Sequence, residues 1–95
     1  MRRPERFAES LREEIIEIVG YELEDPRVLS VTVTDVVVSD NLRDARVFVT
    51  VEGSEEDNKK AMSALLHAST YIRQQVALNL DPKVFILFSY LVKFI

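Results

Sequence analysis

The stretch SVTVTDVVVSDNLRDARVFVTVEG, residues 30–53, decides the fold. Val31 and Val33 alternate with Thr32 and Thr34, which is the period of a half-buried strand. Val36 and Val38 are apolar on the opposite parity. A flip at Thr34-Asp35 implies either a β-bulge or a strand covered on both faces near its end. The density of β-branched residues makes strand the expectation throughout. Residues 39–44, SDNLRD, supply turn formers. Ala45, Val47, Val49 and Val51 then share one face of a second strand, with Arg46, Phe48 and Thr50 on the other. Two strands joined by a short polar loop predict an antiparallel hairpin.

Upstream, Phe7, Leu11, Ile15, Ile18, Val19 and then Glu22-Leu23 fall at spacings of three and four, a helical stripe opposite charged residues. This helix is expected to start after Pro4 and to end before Asp25-Pro26, because Pro26 disfavours helix at Asp25. Downstream, Ser54 is a good N-cap, and Glu55, Glu56 and Asp57 occupy a first turn, where acids suit the helix dipole. Ala61, Leu65, Ala68, Ile72 and Val76 continue as an apolar stripe to about Asn79, and Asp81-Pro82 stops it. KVFILFSYLV, residues 83–92, reads as a third strand, buried on both faces at its start. A long helix between strands two and three makes them parallel neighbours in one sheet. The chain is therefore expected to form a single α+β domain over residues 1–95, with helices on one face of a three-stranded sheet.

Composition narrows the function classes. Net charge is −4, a poor prior for a nucleic-acid binder. The acidity is concentrated, however, since the first 26 residues hold four Arg and eight Asp or Glu. The remainder is close to neutral and can present a basic face. No cysteine occurs, which excludes thiolate metal sites and cysteine nucleophiles and agrees with a cytoplasmic location. The charged start MRRPERFAES does not read as a secretory signal. The apolar run VFILFSYLVKFI is shorter than the ~20 residues of a membrane helix. No Gly-rich phosphate loop, catalytic triad or metal spacing appears, so no cofactor is called for.

Within the long helical region, HASTYIRQQ, residues 67–75, sets two poor helix formers side by side at Ser69-Thr70. The residues here and in the hairpin resemble a known family. LEDPRVLSVTVTDVVVSDNLRDARVFVTVEGSEE, residues 23–56, resembles the signature region of the ribosome-binding factor A family of bacterial small-subunit assembly factors. Asp25-Pro26-Arg27 leading into residues 31–36 is its most specific part. LLHASTYIRQQV, residues 65–76, is similar to the family's second-helix pattern, in which Ala-x-Gly precedes an aromatic, an aliphatic and an Arg. The likeness covers residues 5–80 and is specific over 22–53.

The resemblance implies a KH-like type II order, α-β-β-α(kink)α-β, with the kink at Ala68, Ser69 and Thr70. KH domains usually hold nucleic acid on a Gly-x-x-Gly loop between two helices. The only glycines here are Gly20 and Gly53, and Thr70 stands where the family has Gly. Ser and Thr bend a helix mildly by bonding back to the preceding turn, so a shallower kink is expected. Residues 81–95 depart from the family in lacking its basic connection and polar ending, which reads as a divergent or truncated end.

By resemblance, the implied function is non-enzymatic. It consists of binding the immature small ribosomal subunit and its ribosomal RNA to aid late maturation and 5′-end processing. The family also implies cold adaptation and release by an assembly GTPase; a cytoplasmic monomer with no membrane partner is expected besides. Candidate RNA contacts are Arg43, Arg46, Ser69, Thr70, Arg73 and Lys83. Solvated surface charge is the competing reading for the cations, with about even weight. Lys59 and Lys60 read as solvated helix face beside Glu55 and Glu56. Phe48 and Tyr71 are candidates for base stacking, though packing against neighbours is the stronger reading. The alternative function is a KH-like protein-interaction module without RNA affinity, dimerising through the last strand.

Overall fold

The computed structural model describes residues 3–80 and 87–92. The elements are α1 (Arg3–Glu17), β1 (Val31–Val38), β2 (Asp44–Val51), α2 (Glu55–His67), α3 (Ser69–Asn79) and β3 (Leu87–Val92). The sheet order is β1-β2-β3, with β1 and β2 antiparallel and β2 and β3 parallel. This is the α+β arrangement the alternation and the crossover length imply. The part of the expected third strand before Leu87 lies outside the described residues.

The parity flip in β1 is a β-bulge. Val33 pairs with Val49, but the next pair is Asp35 with Phe48, so Thr34 has no partner of its own. The extra residue turns Val33, Val36 and Val38 all towards the helices, where each is buried. The Thr34 hydroxyl donates to the Phe48 carbonyl at 3.1 Å, and Arg12 Nε of α1 donates to the Thr34 carbonyl at 3.3 Å. The bulge thus also fastens the first helix to the sheet.

Leu11, Ile15 and Ile18 are fully buried as the stripe requires, and α1 packs over β1. The helix begins at Arg3 with Pro4 in its first turn, where a missing N–H costs nothing. Its end departs from the expectation of one regular helix. Residues Ile18–Glu22 form a π-turn, closed by the Leu23 N–H donating to the Ile18 carbonyl at 3.0 Å. An α-helical continuation from Leu11, Ile15 and Ile18 brings Glu22 onto the apolar face. The wider turn puts Leu23 against the core instead and leaves Glu22 at the edge.

On β2, Ala45, Val47 and Val49 are buried beneath the helices. They meet Leu65 of α2 and Ile72 and Val76 of α3 in one cluster, joined from β3 by Tyr90. The other sheet face carries Val37, Arg46, Phe48 and Leu91.

Gly53 sits between β2 and α2 at φ 119°, a conformation L side chains rarely adopt. A Cβ there would run into the Asp57 carboxylate, which accepts from the Ser54 N–H at 2.8 Å in the α2 capping box. Gly20 has nothing within 4 Å of such an atom. Chemical denaturation is therefore expected to show Gly53→Ala losing about 1–3 kcal/mol of stability. Gly20→Ala, within a helical turn, should gain up to ~1 kcal/mol.

Candidate nucleic-acid interface at the helix break

Helices α2 and α3 meet at Ala68, whose φ of −84° and ψ of 0° interrupt the helical series. The backbone stays bonded on both sides. The Ala68 N–H donates to the Ala64 carbonyl at 3.0 Å, and the Ile72 N–H to the Ala68 carbonyl at 2.9 Å. Ser69 Oγ donates to the Leu66 carbonyl at 2.7 Å. That bond adds a side-chain donor to a carbonyl the Ala68 N–H also reaches, and it holds the bend without glycine. Ser69 is half-buried beside Ala68, while Thr70 is exposed.

The chain segment after the π-turn leans on this break. Tyr71 Oη donates to Glu22 Oε1 at 2.9 Å, which raises the phenol's pKa. Pro26–Val28 form a 3-10 turn packed on α2. Asp25 caps that turn, accepting from the Arg27 N–H at 2.9 Å, and also binds the Arg27 side chain. Arg27 Nε donates at 3.0 and 3.1 Å to the two Asp25 oxygens, and Nη2 donates at 2.6 Å. These side-chain bonds from Arg27, with its backbone N–H, hold the Asp25 carboxyl down at about 2; His67, at the end of α2, adds a small pull in the same direction.

The sequence-derived candidates fall into separate places. Ser69, Thr70 and Arg73 gather at the break, with Arg73 half-buried on α3. Its charge reaches Tyr90, pulling against the burial that pushes the phenol up to about 12. Arg43 is exposed on the β1–β2 turn, where its N–H donates to Asn41 Oδ1 at 3.0 Å. Arg46 is exposed on the sheet face away from the helices, between Val37 and Ser89. Lys83 lies outside the described residues. Phe48 is half-buried on the face that carries Arg46. Among the described residues, no group of three or more His, Asp or Glu is placed to hold a metal.

Sequence reading missed the tie between residues 22–27 and the break. The signal was present in Asp25-Pro26-Arg27. An acid two residues before an Arg, across a proline that presets the turn, is positioned for both a cap and an ion pair.

Residues 3–86 match the family model described as "Ribosome-binding factor A". The chain belongs to the ribosome-binding factor A family. It is 42% identical over 80 residues to the ribosome-binding factor A of Solibacter usitatus, covering 84% of this chain and 65% of that relative. The chain thus spans less than two thirds of that relative's length. The crystal structure of ribosome-binding factor A from Thermus thermophilus superposes with a TM-score of 0.83 at 24% identity, over 94% of this chain and 93% of that one. A Thermus thermophilus ribosome-binding factor A fitted into the cryo-EM map of a 30S complex matches with a TM-score of 0.73 at 25% identity, over 88% of each chain. The KH-like order inferred for the family is thus the order this chain adopts.

The Asp25 carboxyl provides a direct check on the local geometry. Its folded-state pKa lies below the ordinary 3.8, so the pair favours the folded turn above that pH. The contribution fades as the pH falls from 3.8 towards 2. A carboxyl-detected NMR titration should place Asp25 near 2 in the native chain and return it towards 3.8 in Arg27→Gln.

Proposed function

We propose that this chain binds the small ribosomal subunit and its ribosomal RNA through the surface around the α2–α3 break. It acts as an assembly factor and not as an enzyme. The observation that carries the reading is the break itself. Two helices are joined through Ala68, with Ser69 and Thr70 at the joint, where a KH module holds its nucleic-acid loop. The fitted 30S complex of a similar protein supports the same partner.

The work is conformational. A protein that binds one RNA arrangement better than another shifts the population towards it and needs no chemical step. In this reading the preferred arrangement belongs to the immature subunit, and binding aids late maturation and processing of the RNA 5′ end. Such work places the chain in the cytoplasm as a monomer, with an assembly GTPase as the releasing partner and a larger role in the cold. Thr70 and Arg73 contact phosphate at the break. Arg43, Arg46 and Lys83 are further candidate contacts elsewhere on the chain. Among the described residues no helix is long and apolar enough to cross a membrane.

Co-sedimentation with purified mature and immature small subunits over a salt series tests this. Binding should favour the immature particle and weaken steeply with salt. Arg73→Ala should lower the log–log salt slope by about 0.7–0.9, the share of one phosphate. A folded sample that stays in the supernatant at low salt would shift the reading to a protein-interaction module.

A further inference from the structure

The Asp25-Pro26-Arg27 turn has a role beyond tying residues 22–27 to α2. A groove of about 220 Å³ runs between this turn and α2, lined by Pro26, Arg27, Ser30, Asp57 and Lys60. It can admit a polar group of several atoms. We propose that this groove takes one ribose–phosphate unit of an RNA backbone. The inference rests on the RNA-binding reading above and adds a second contact point to it.

Arg27 supplies the first half of the argument. Asp25 engages its Nε and Nη2 edge, and no hydrogen bond to Nη1 forms among the described residues. The guanidinium is therefore held in one orientation with donors to spare. A fixed planar fork loses little freedom when it meets a phosphate. Lys60 lines the same groove and makes no ion pair within 4 Å among the described residues, though its charge acts on Asp57 beside it. Two cations from different elements converge on one space.

Asp25 and Asp57 both stay ionised and balance the two cations, so the groove selects by directed hydrogen bonds and not by net positive charge. Both Asp25 oxygens are engaged by Arg27. Asp57 Oδ2 accepts from the Ser54 N–H and hydroxyl. The groove nevertheless offers acceptors, in Asp57 and in the Ser30 hydroxyl, which makes no hydrogen bond among the described residues. A bare anion has no use for acceptors. A ribose has a 2′-hydroxyl that donates, and this group is what separates RNA from DNA at a given site. Cations and acceptors in one groove therefore match a ribose–phosphate unit better than an inorganic anion or a carboxylate.

The full chain can be tested with deproteinised small-subunit RNA, a single-stranded DNA of the same sequence, and intact small subunits, each over a salt series. Lys60→Gln, at an exposed position, should leave the melting temperature unchanged and lower the salt slope on RNA by about 0.7–0.9. Arg27→Gln should lower the slope by the same amount while also lowering the melting temperature, since it removes the Asp25 pair, and the double variant should lose no more of the slope than either, because both groups hold one phosphate. Ser30→Ala should narrow the preference for RNA over DNA while leaving DNA affinity unchanged. An unchanged slope in the double variant, with Arg73→Ala still weakening binding, overturns the groove assignment and leaves the proposed function standing. Loss of subunit binding with unchanged affinity for deproteinised RNA also overturns it, and gives the groove to an acidic protein. If the native chain binds neither RNA nor subunits, the function and the groove fail together.

Discussion

Leu65 and Ile72 lie seven residues apart on either side of Ala68, and both are fully buried. The architecture depends on keeping them on one face while the helix between them breaks. Seven residues is close to two helical turns, so an apolar stripe survives the interruption if the bend is mild. The backbone bonds of Ala68 and Ile72 continue the helical pattern through the joint, and the Ser69 hydroxyl occupies the Leu66 carbonyl. Both helices can then press on Val47 and Val49 of the central strand. Truncating a buried Leu or Ile at such a junction costs ~2–5 kcal/mol, a large share of a small domain's stability.

That arrangement gives the surface near the break its polarity. With the apolar stripe turned inwards, Lys60, His67, Thr70 and Tyr71 face outwards. The segment after α1 crosses beside them, held by Tyr71 through Glu22 and by packing of the Pro26–Val28 turn on α2. An acidic chain can in this way present cations where they matter. Asp25 is spent on orienting Arg27 and Asp57 on capping α2, so acids counted as net negative charge act partly as structural ligands. A net charge of −4 says nothing of where the charges sit, and is a weak guide to what one surface can bind.

Two irregularities serve the same end. The bulge at Thr34 and the π-turn at Ile18–Glu22 each add one residue to a regular element. The first brings valines of both parities to the core. The second exchanges Glu22 for Leu23 there and frees the glutamate to meet Tyr71. Each also supplies a tie between elements, Arg12 to the Thr34 carbonyl and Tyr71 to Glu22. Local departures from periodicity are compensated by burial on one side and by a long-range hydrogen bond on the other.

The sequence by itself determined the element order, the hairpin and the core stripe, and it marked the irregularity in β1 without choosing between a bulge and a strand covered on both faces. These follow from periodicity, capping and turn chemistry, which act over a few neighbouring residues. Family resemblance reached further, to the KH-like plan. Only the tertiary structure decided how the candidate residues group. It showed that Arg43 on the hairpin turn and Arg46 on the far sheet face lie apart from Ser69, Thr70 and Arg73. It also brought Arg27 and Lys60 to one groove, residues that are distant in the chain and unremarkable in local pattern. Their proximity depends on the π-turn, the proline-preset turn and the packing of that turn on α2 acting together. A one-residue change of phase at Ile18 would redirect the whole segment. That sensitivity is the physical reason spacing alone left the groove hidden.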